Sequence, residues 1–269
     1  MTTLNASQVS EIADSLFNAE LNRQQISPPT LRFPDIDMDD AYAIQSAWVE
    51  KKVAAGDPVI GYKIGLTSRV MQRAMKIDTP DFGVLLESMR FANGSQIRHA
   101  DHLDPRIEVE MAFVLKDTLF GEDLTVEDVM QATDYVVPAL ELIAARSHRV
   151  DPETGYTRTV MDTISDNAAN AGIILGSQHF APDTIDMRWS GAILYRNDII
   201  EETGLAAAVL GHPAAGICWI AKRFAKHGIS LQPGQILLSG SFTAPVICNK
   251  GDKFVADYGP LGVIECEFN

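Results

Sequence analysis

Residues 106–115 read RIEVEMAFVL, and the alternation in this run constrains the fold more than any other feature of the chain. Successive strand side chains point to opposite faces. Ile107, Val109, Met111, Phe113 and Leu115 therefore share one face, and Arg106, Glu108 and Glu110 share the other. A second run, DYVVPALELI at 134–143, also reads as a strand. It carries one carboxylate, Glu141, among apolar residues, and Pro138 predicts a bulge or an edge there. Strands of this kind need a core to lie on. A chain of 269 residues, 46% of them hydrophobic, is large enough to supply one.

The other periodic segments place helices before these strands and near the end. Val9, Ile12, Ala13 and Leu16 repeat at helical spacing. After Pro28, Pro29 and Pro34, a second helix is expected from Asp37 as N-cap, with Asp39 and Asp40 in its first turn. Lys51 and Lys52 fall in its last turn, with Gly56 beyond, so charge matches the dipole at both ends. Ala41, Ile44, Trp48 and Val49 form its apolar stripe. Thr125 with Asp128 caps a short helix through Ala132, and Pro213 opens another that Gly228 closes. Asn197–Asp198 marks a hairpin between 187–195 and 199–203. This order lacks a regular βαβ alternation, so the expected class is α+β.

With 22 Lys and Arg against 36 Asp and Glu, the net charge is −14. Such a surface repels phosphate backbones and anionic lipid, so neither nucleic acid nor membrane is an expected partner. It also repels anionic substrates unless a bound cation or local donors reverse the field. Cys218, Cys248 and Cys266 form no CxxC pair, and the N-terminus lacks a basic region followed by an apolar run. A reduced, cytoplasmic location is expected.

Nucleotide-binding and hydrolase motifs (GxGxxG after a strand, GxxxxGK[ST], GxSxG, HExxH) are missing. His99 and His102 read as surface residues. Three carboxylates in apolar strands are costly unless a cation compensates them, and oxygen ligands favour a hard ion such as Mg²⁺ or Mn²⁺. On spacing alone, Glu108 and Glu110 alternating outward from a half-exposed strand is the commonplace alternative. Lys63 in GYKIGLTS is either a perturbed acid–base group or a lysine reaching solvent from a strand end. Asp81 in PDFG lies in a turn. The Gly/Ser loop LSGSFTAP at 238–245 either binds a carboxylate or simply turns. DTISDNAANAG at 162–172 reads as capping and tight packing.

In this order, KIGLTS, PDFG, RIEVEMAF, DYVVPALELI, DTISDNAANAG and LSGSFT resemble the fumarylacetoacetase-like superfamily, over about residue 7 to the C-terminus. PRIEVE with ALEL is similar to its hydratase and decarboxylase branch. The resemblance implies an N-terminal helical part over 1–58 and a mixed β-roll catalytic domain over 59–269. It also implies Mg²⁺ (or Mn²⁺) held by Glu108, Glu110 and Glu141, with Lys63 and Asp81 beside the substrate. Leu66, Thr67, Ser241 and Thr243 are then expected to hold the substrate carboxylate, and the assembly to be a homo-oligomer. Within the branch, 2-oxopent-4-enoate hydratases and 4-oxalocrotonate decarboxylases carry DNASCG and a short RDW segment. This chain has DNAANAG, SHRVDPETG and YRNDIIEETG, which look like the heptenedioate hydratases of homoprotocatechuate degradation. The implied reaction adds water to 2-oxohept-3-ene-1,7-dioate, giving 4-hydroxy-2-oxoheptanedioate. Decarboxylation and pentenoate hydration are the alternatives, and a non-catalytic acidic cation-binding module is the alternative of another class. That group often has Arg where this chain has Ala244, so Arg146 or Arg158 is expected to meet the distal carboxylate.

Overall fold

The computed structural model describes residues 3–68, 72–73 and 77–269. The chain starts with helices α1 (Ala6–Asn22), α2 (Pro29–Arg32) and α3 (Met38–Ala54). Asn5 caps α1 in a reciprocal box with Gln8, and Asp37 caps α3 with Asp40. Ile12, Ala13 and Leu16 of α1 pack with Ala41, Ile44 and Trp48 of α3 in one buried cluster, while Val49 is half-buried.

There follow β1 (Val59–Gly65), β2 (Asp81–Leu86), β3 (Arg90–Phe91), β4 (Ser95–Ile97) and β5 (Arg106–Leu115). Helix α4 (Val126–Ala132) leads into β6 (Thr133–Ile143), and α5 (Val160–Ser165) precedes β7 (Asn170–Leu175). The last third holds β8 (Gly191–Arg196), β9 (Ile199–Leu205), α6 (Ala214–Ala225), β10 (Ile236–Leu238), β11 (Val246–Ile247), β12 (Lys253–Asp257) and β13 (Val263–Phe268). Two mixed sheets result. One has eight strands in the order β2-β1-β10-β5-β6-β7-β3, with β11 also on β5; the other runs β4-β13-β12-β8-β9. This is the expected combination of a small helical part and mixed sheets.

The alternation in β5 is real, but both of its faces are covered. Ile107, Val109, Met111, Phe113 and Leu115 enter the main core with Phe254 and Phe268 of the second sheet. On the other face, Ala112 and Val114 join a separate cluster with Val137, Ala139 and Leu238. Glu110 is therefore buried, contrary to an outward-facing strand surface.

Pro138 is neither at a bulge nor on an edge strand. It pairs with Met111 in the middle of β6, and the register breaks fall at Val114/Leu115 and Leu142/Ile143. Its carbonyl accepts from Gly176 N–H, on the side where β7 has already ended at Leu175, so no ladder bond is lost there. The β8–β9 hairpin forms on Asn197 and Asp198, both left-handed at φ 54° and 65°, but its first strand starts at Gly191 rather than 187. His99 and His102 are half-buried instead of surface-exposed, and His99 Nε2 lies 3.1 Å from the Cys248 carbonyl.

Candidate active site and metal centre

Register and pleat assemble the site. Glu108 on β5 sits directly opposite Glu141 on β6, and Glu110 sits opposite the small Ala139. Ile64 of β1 points into the main core, so its neighbour Lys63 points to the carboxylate face. Gly65 of β1 pairs with Asp81 of β2, which brings Asp81 to the same face. A Cβ on Gly65 would lie 2.2 Å from Asp81 Oδ1 and 3.3 Å from Lys63 Nζ, so only glycine leaves room for both groups. Four strands thus converge five ionisable side chains.

Glu110 and Glu141 each retain 1% exposure, while Glu108 is half-buried on the cavity wall. One carboxylate oxygen from each of Glu108, Glu110 and Glu141 lies within 4.8 Å of the others. Lys63 Nζ is 3.3 Å from Glu141 Oε1, which also accepts from Asn170 Nδ2 at 2.8 Å. Gly240 N–H donates to Glu110 Oε2 at 2.8 Å. Behind the carboxylates, the Tyr258 hydroxyl donates toward the Glu110 and Ala139 carbonyls at 2.9 and 2.6 Å and braces the β5–β6 pair.

Like charges directly opposite one another are destabilising, and burial compounds the cost. Burial, then the charge of Glu141, pushes the Glu108 carboxyl up to about 7. Burial, Glu141 and Glu108 push Glu110 well above the usual carboxylate range. Burial and Glu141 also raise Asp81, against the opposing pull of Lys63. Lys63 behaves differently from a lysine stripped of its proton. Burial favours the neutral amine, but Glu141, Asp81, Glu108 and Glu110 outweigh it and raise its proton affinity. It is an ammonium ion facing the carboxylates and does not reach for solvent.

These donors fit a hard divalent cation: three oxygens converge in a site too dry for three bare charges. Asp81 Oδ1 and Asn170 Oδ1 are also buried without a hydrogen-bond partner among the described residues.

The cavity over this cluster measures about 540 Å³ and is lined by Leu66, Thr67, Ser241 and Thr243 together with the five ionisable residues. Leu66 is left-handed at φ 53°. Gly240 at φ 113° leaves space for Thr67, whose Oγ1 would lie 2.2 Å from a Cβ there. Loop 239–245 is stitched along β5: Ser239 and Phe242 donate to the Met111 and Val109 carbonyls, and Thr243 Oγ1 accepts from Val109 N–H. Arg158 also lines this cavity, and Arg146 does not. The Arg146 guanidinium is held by Glu20, Asp166 and the Asn170 carbonyl over the Trp48 ring. Arg149 lines the cavity as well and escaped sequence reasoning. One arginine in SHRVDPETG gives no sign of which way it points. Asn170 escaped too, because DNAANAG reads as packing.

A chain 53% identical over 257 residues, 96% of each sequence, is 2-oxo-hept-4-ene-1,7-dioate hydratase of Escherichia coli. A 2-keto-4-pentenoate hydratase of Paraburkholderia xenovorans is 36% identical, covering 97% of this chain and 95% of that one. The structure of 4-oxalocrotonate decarboxylase from Pseudomonas putida G7, solved with magnesium and adipate, superposes with a TM-score of 0.94 over all of both chains at 31% identity. The chain belongs to the hydratase and decarboxylase branch of the fumarylacetoacetase-like superfamily. No protein-family model matches it. A fumarylpyruvate hydrolase from Pseudomonas aeruginosa, 12% identical with a TM-score of 0.57, shares the superfamily fold. Members of the branch are named hydratases and decarboxylases, so this chain is an enzyme of that kind, with an acidic cluster suited to a metal.

Proposed function

We propose that the chain hydrates 2-oxohept-3-ene-1,7-dioate, formed from its dienol 2-hydroxyhepta-2,4-diene-1,7-dioate, to 4-hydroxy-2-oxoheptanedioate. The observation that carries this reading is the 53% identity to the Escherichia coli hydratase, against 31–36% to pentenoate hydratases and oxalocrotonate decarboxylases. That hydratase is named for the 4-ene. Protonating the dienol at C3 gives the 4-ene, and protonating it at C5 gives the 3-ene; only the 3-ene is conjugated with the 2-keto group and accepts water at C4.

Glu108, Glu110 and Glu141 would hold Mg²⁺ (or Mn²⁺), which when bound supplies Lewis-acid polarisation of the 2-oxo acid end. Lys63, held as an ammonium ion, stabilises negative charge developing on the 2-oxygen. Asp81, with its raised proton affinity, moves the proton that leaves the 2-hydroxyl and the one that arrives on carbon. Backbone and hydroxyl groups of Leu66, Thr67, Ser241 and Thr243 orient the 1-carboxylate. Water contributes its oxygen to C4 and a proton to C3, so the atoms balance without a redox cofactor.

Incubation of the dienol diacid with the Mg²⁺-loaded enzyme tests this, with products identified by NMR. The hydrated seven-carbon diacid is expected. Released CO₂ would make the chain a decarboxylase, and unchanged diacid would remove the catalytic reading. Homoprotocatechuate degradation is the pathway such a product fits. A homo-oligomer also belongs to this proposal, supported by Ile199 and Ile200 at 67% and 56% exposure on the edge strand β9. Light scattering that returns one chain mass would remove it.

A further inference from the structure

The cavity extends from the carboxylates to the neck of the loop at 147–159. There the chain turns back on itself through a bridge between Val150 and Thr157, and Arg158 N–H donates to the Arg149 carbonyl at 3.0 Å. The two arginines are therefore cross-strand neighbours, and both line the cavity. Like charges so placed repel unless an anion lies between them. The protein compensates them only in part, through Asp104 and Glu108 near Arg149 and through Asp166, Asp162 and Asp104 near Arg158. Arg158 is 8% exposed, and its nearest carboxylate oxygen, on Asp166, is 3.7 Å away. Asp166 gives its closer contact, 3.0 Å, to Arg146. The other polar contact of the Arg158 side chain among the described residues is the Ser147 carbonyl at 3.5 Å. Arg149 Nε donates to Asp104, but Arg149 Nη2 is buried with no hydrogen-bond partner among the described residues. Asp104 is in turn shared with Arg106. Burial and the charge of Arg149 lower the Arg158 guanidinium to about 10, in line with an excess of positive charge at this end.

We propose that Arg149 and Arg158 form a carboxylate clamp in the wall of the cavity, taking the C7 carboxylate of a dicarboxylic substrate and selecting it over monocarboxylates. This rests on the proposed hydratase reading, which puts a second carboxylate on the substrate. It also explains how a chain of net charge −14 accepts a dianion without an arginine at Ala244. The guanidinium fork matches a carboxylate geometrically, and the dry setting strengthens the contact.

The test is calorimetric binding of heptanedioate and heptanoate to the Mg²⁺-loaded enzyme, in wild type, Arg149→Gln, Arg158→Gln, Arg149→Lys and Arg158→Lys. Wild type is expected to favour heptanedioate by about tenfold or more. Each Gln variant should bring the ratio of the two affinities to within about threefold, and each Lys variant should restore part of it. Heptanoate binding in each variant reports that the cavity is still formed. Equal weakening of both ligands, or a wild type without preference for the diacid, overturns the clamp. Hydration of the dienol diacid is assayed separately. A wild type that shows the arginine-dependent preference but does not hydrate refutes the hydratase reading and leaves the clamp standing.

Discussion

Glu108 and Glu110 face each other's field and that of Glu141 inside a dry sheet, so each holds its proton to higher pH than a free glutamate. The sign of the consequence follows from proton counting. A carboxyl raised to about 7 in the folded state binds more protons than its unfolded counterpart between about 4.5 and 7. Stability of the metal-free protein therefore falls as pH rises through that window. A cation replaces those protons, so its affinity rises with pH. After chelation, the gain in Tm on adding Mg²⁺ should be larger at pH 8 than at pH 5. A gain that is equal or larger at pH 5 would remove the triad as the metal site. Glu141→Gln should weaken Mg²⁺ binding and also loosen Lys63, which has Glu141 Oε1 at 3.3 Å. If Lys63 stabilises charge on the 2-oxygen, Lys63→Met should lower kcat roughly 10²–10³-fold at nearly unchanged KM. A rise in KM alone would assign it to ground-state binding. Full activity would remove it from the chemistry.

At the scale of elements, the site depends on how β2 is held. β2 ends the larger sheet and pairs with β1 on one side only. On its free side the Asn167 side chain replaces a strand: Oδ1 accepts from Val84 N–H at 2.7 Å, and Nδ2 donates to the Val84 carbonyl at 2.9 Å. Asn167, Ala168 and Ala169 are all left-handed, at φ 51°, 51° and 59°, which non-glycine residues adopt only when their surroundings enforce it. Asn167→Ala leaves two buried backbone groups unpaired and should cost on the order of 2 kcal/mol in urea unfolding. An unchanged midpoint would show that the amide holds nothing. Gly65→Ala perturbs the other side of β2. Its methyl meets Asp81 Oδ1 at 2.2 Å, so Asp81 must move. A displacement of that size should lower kcat roughly 10²-fold with the fold preserved by circular dichroism. Wild-type kcat in that variant would show that the position of Asp81 does not matter.

Across the whole molecule, Arg146 ties the N-terminal helices to the sheet. It joins Glu20 of α1, the Trp48 ring of α3, Asp166 after α5 and the start of β7 at Asn170. Removing one partner of a buried pair leaves the other charge uncompensated. Arg146→Ala should therefore destabilise by roughly 3–5 kcal/mol, read by denaturant unfolding. The ratio of heptanedioate to heptanoate affinity should stay at its wild-type value in that variant, because Arg146 lies outside the cavity lined by Arg149 and Arg158. A loss of that ratio would mean that Arg146 contacts the ligand or that it keeps Asp166 from neutralising Arg158.

Periodicity and capping patterns in the sequence determined helices α1, α3, α4 and α6 and the two central strands, because these depend on neighbours within a few residues, while the short α2 and α5 gave no such signal. Asp37 with Asp40 and Thr125 with Asp128 are local hydrogen-bonded boxes, readable in any context. The motif order KIGLTS to LSGSFT was enough to name the superfamily. The burial of Glu110 was not readable, since alternation looks the same whether the second face meets water or a second cluster around Ala112, Val137 and Leu238. The ease of Pro138 in mid-strand likewise depends on where β7 ends. The charge state of Lys63 depends on four carboxylates brought from β2, β5 and β6. Arg146 and Arg149 are three residues apart in one segment, yet one is locked against Trp48 and the other lines the cavity. Local sequence carries no record of which charges will stand across from them, so only the packed sheet and its loops decided which arginine lines the cavity.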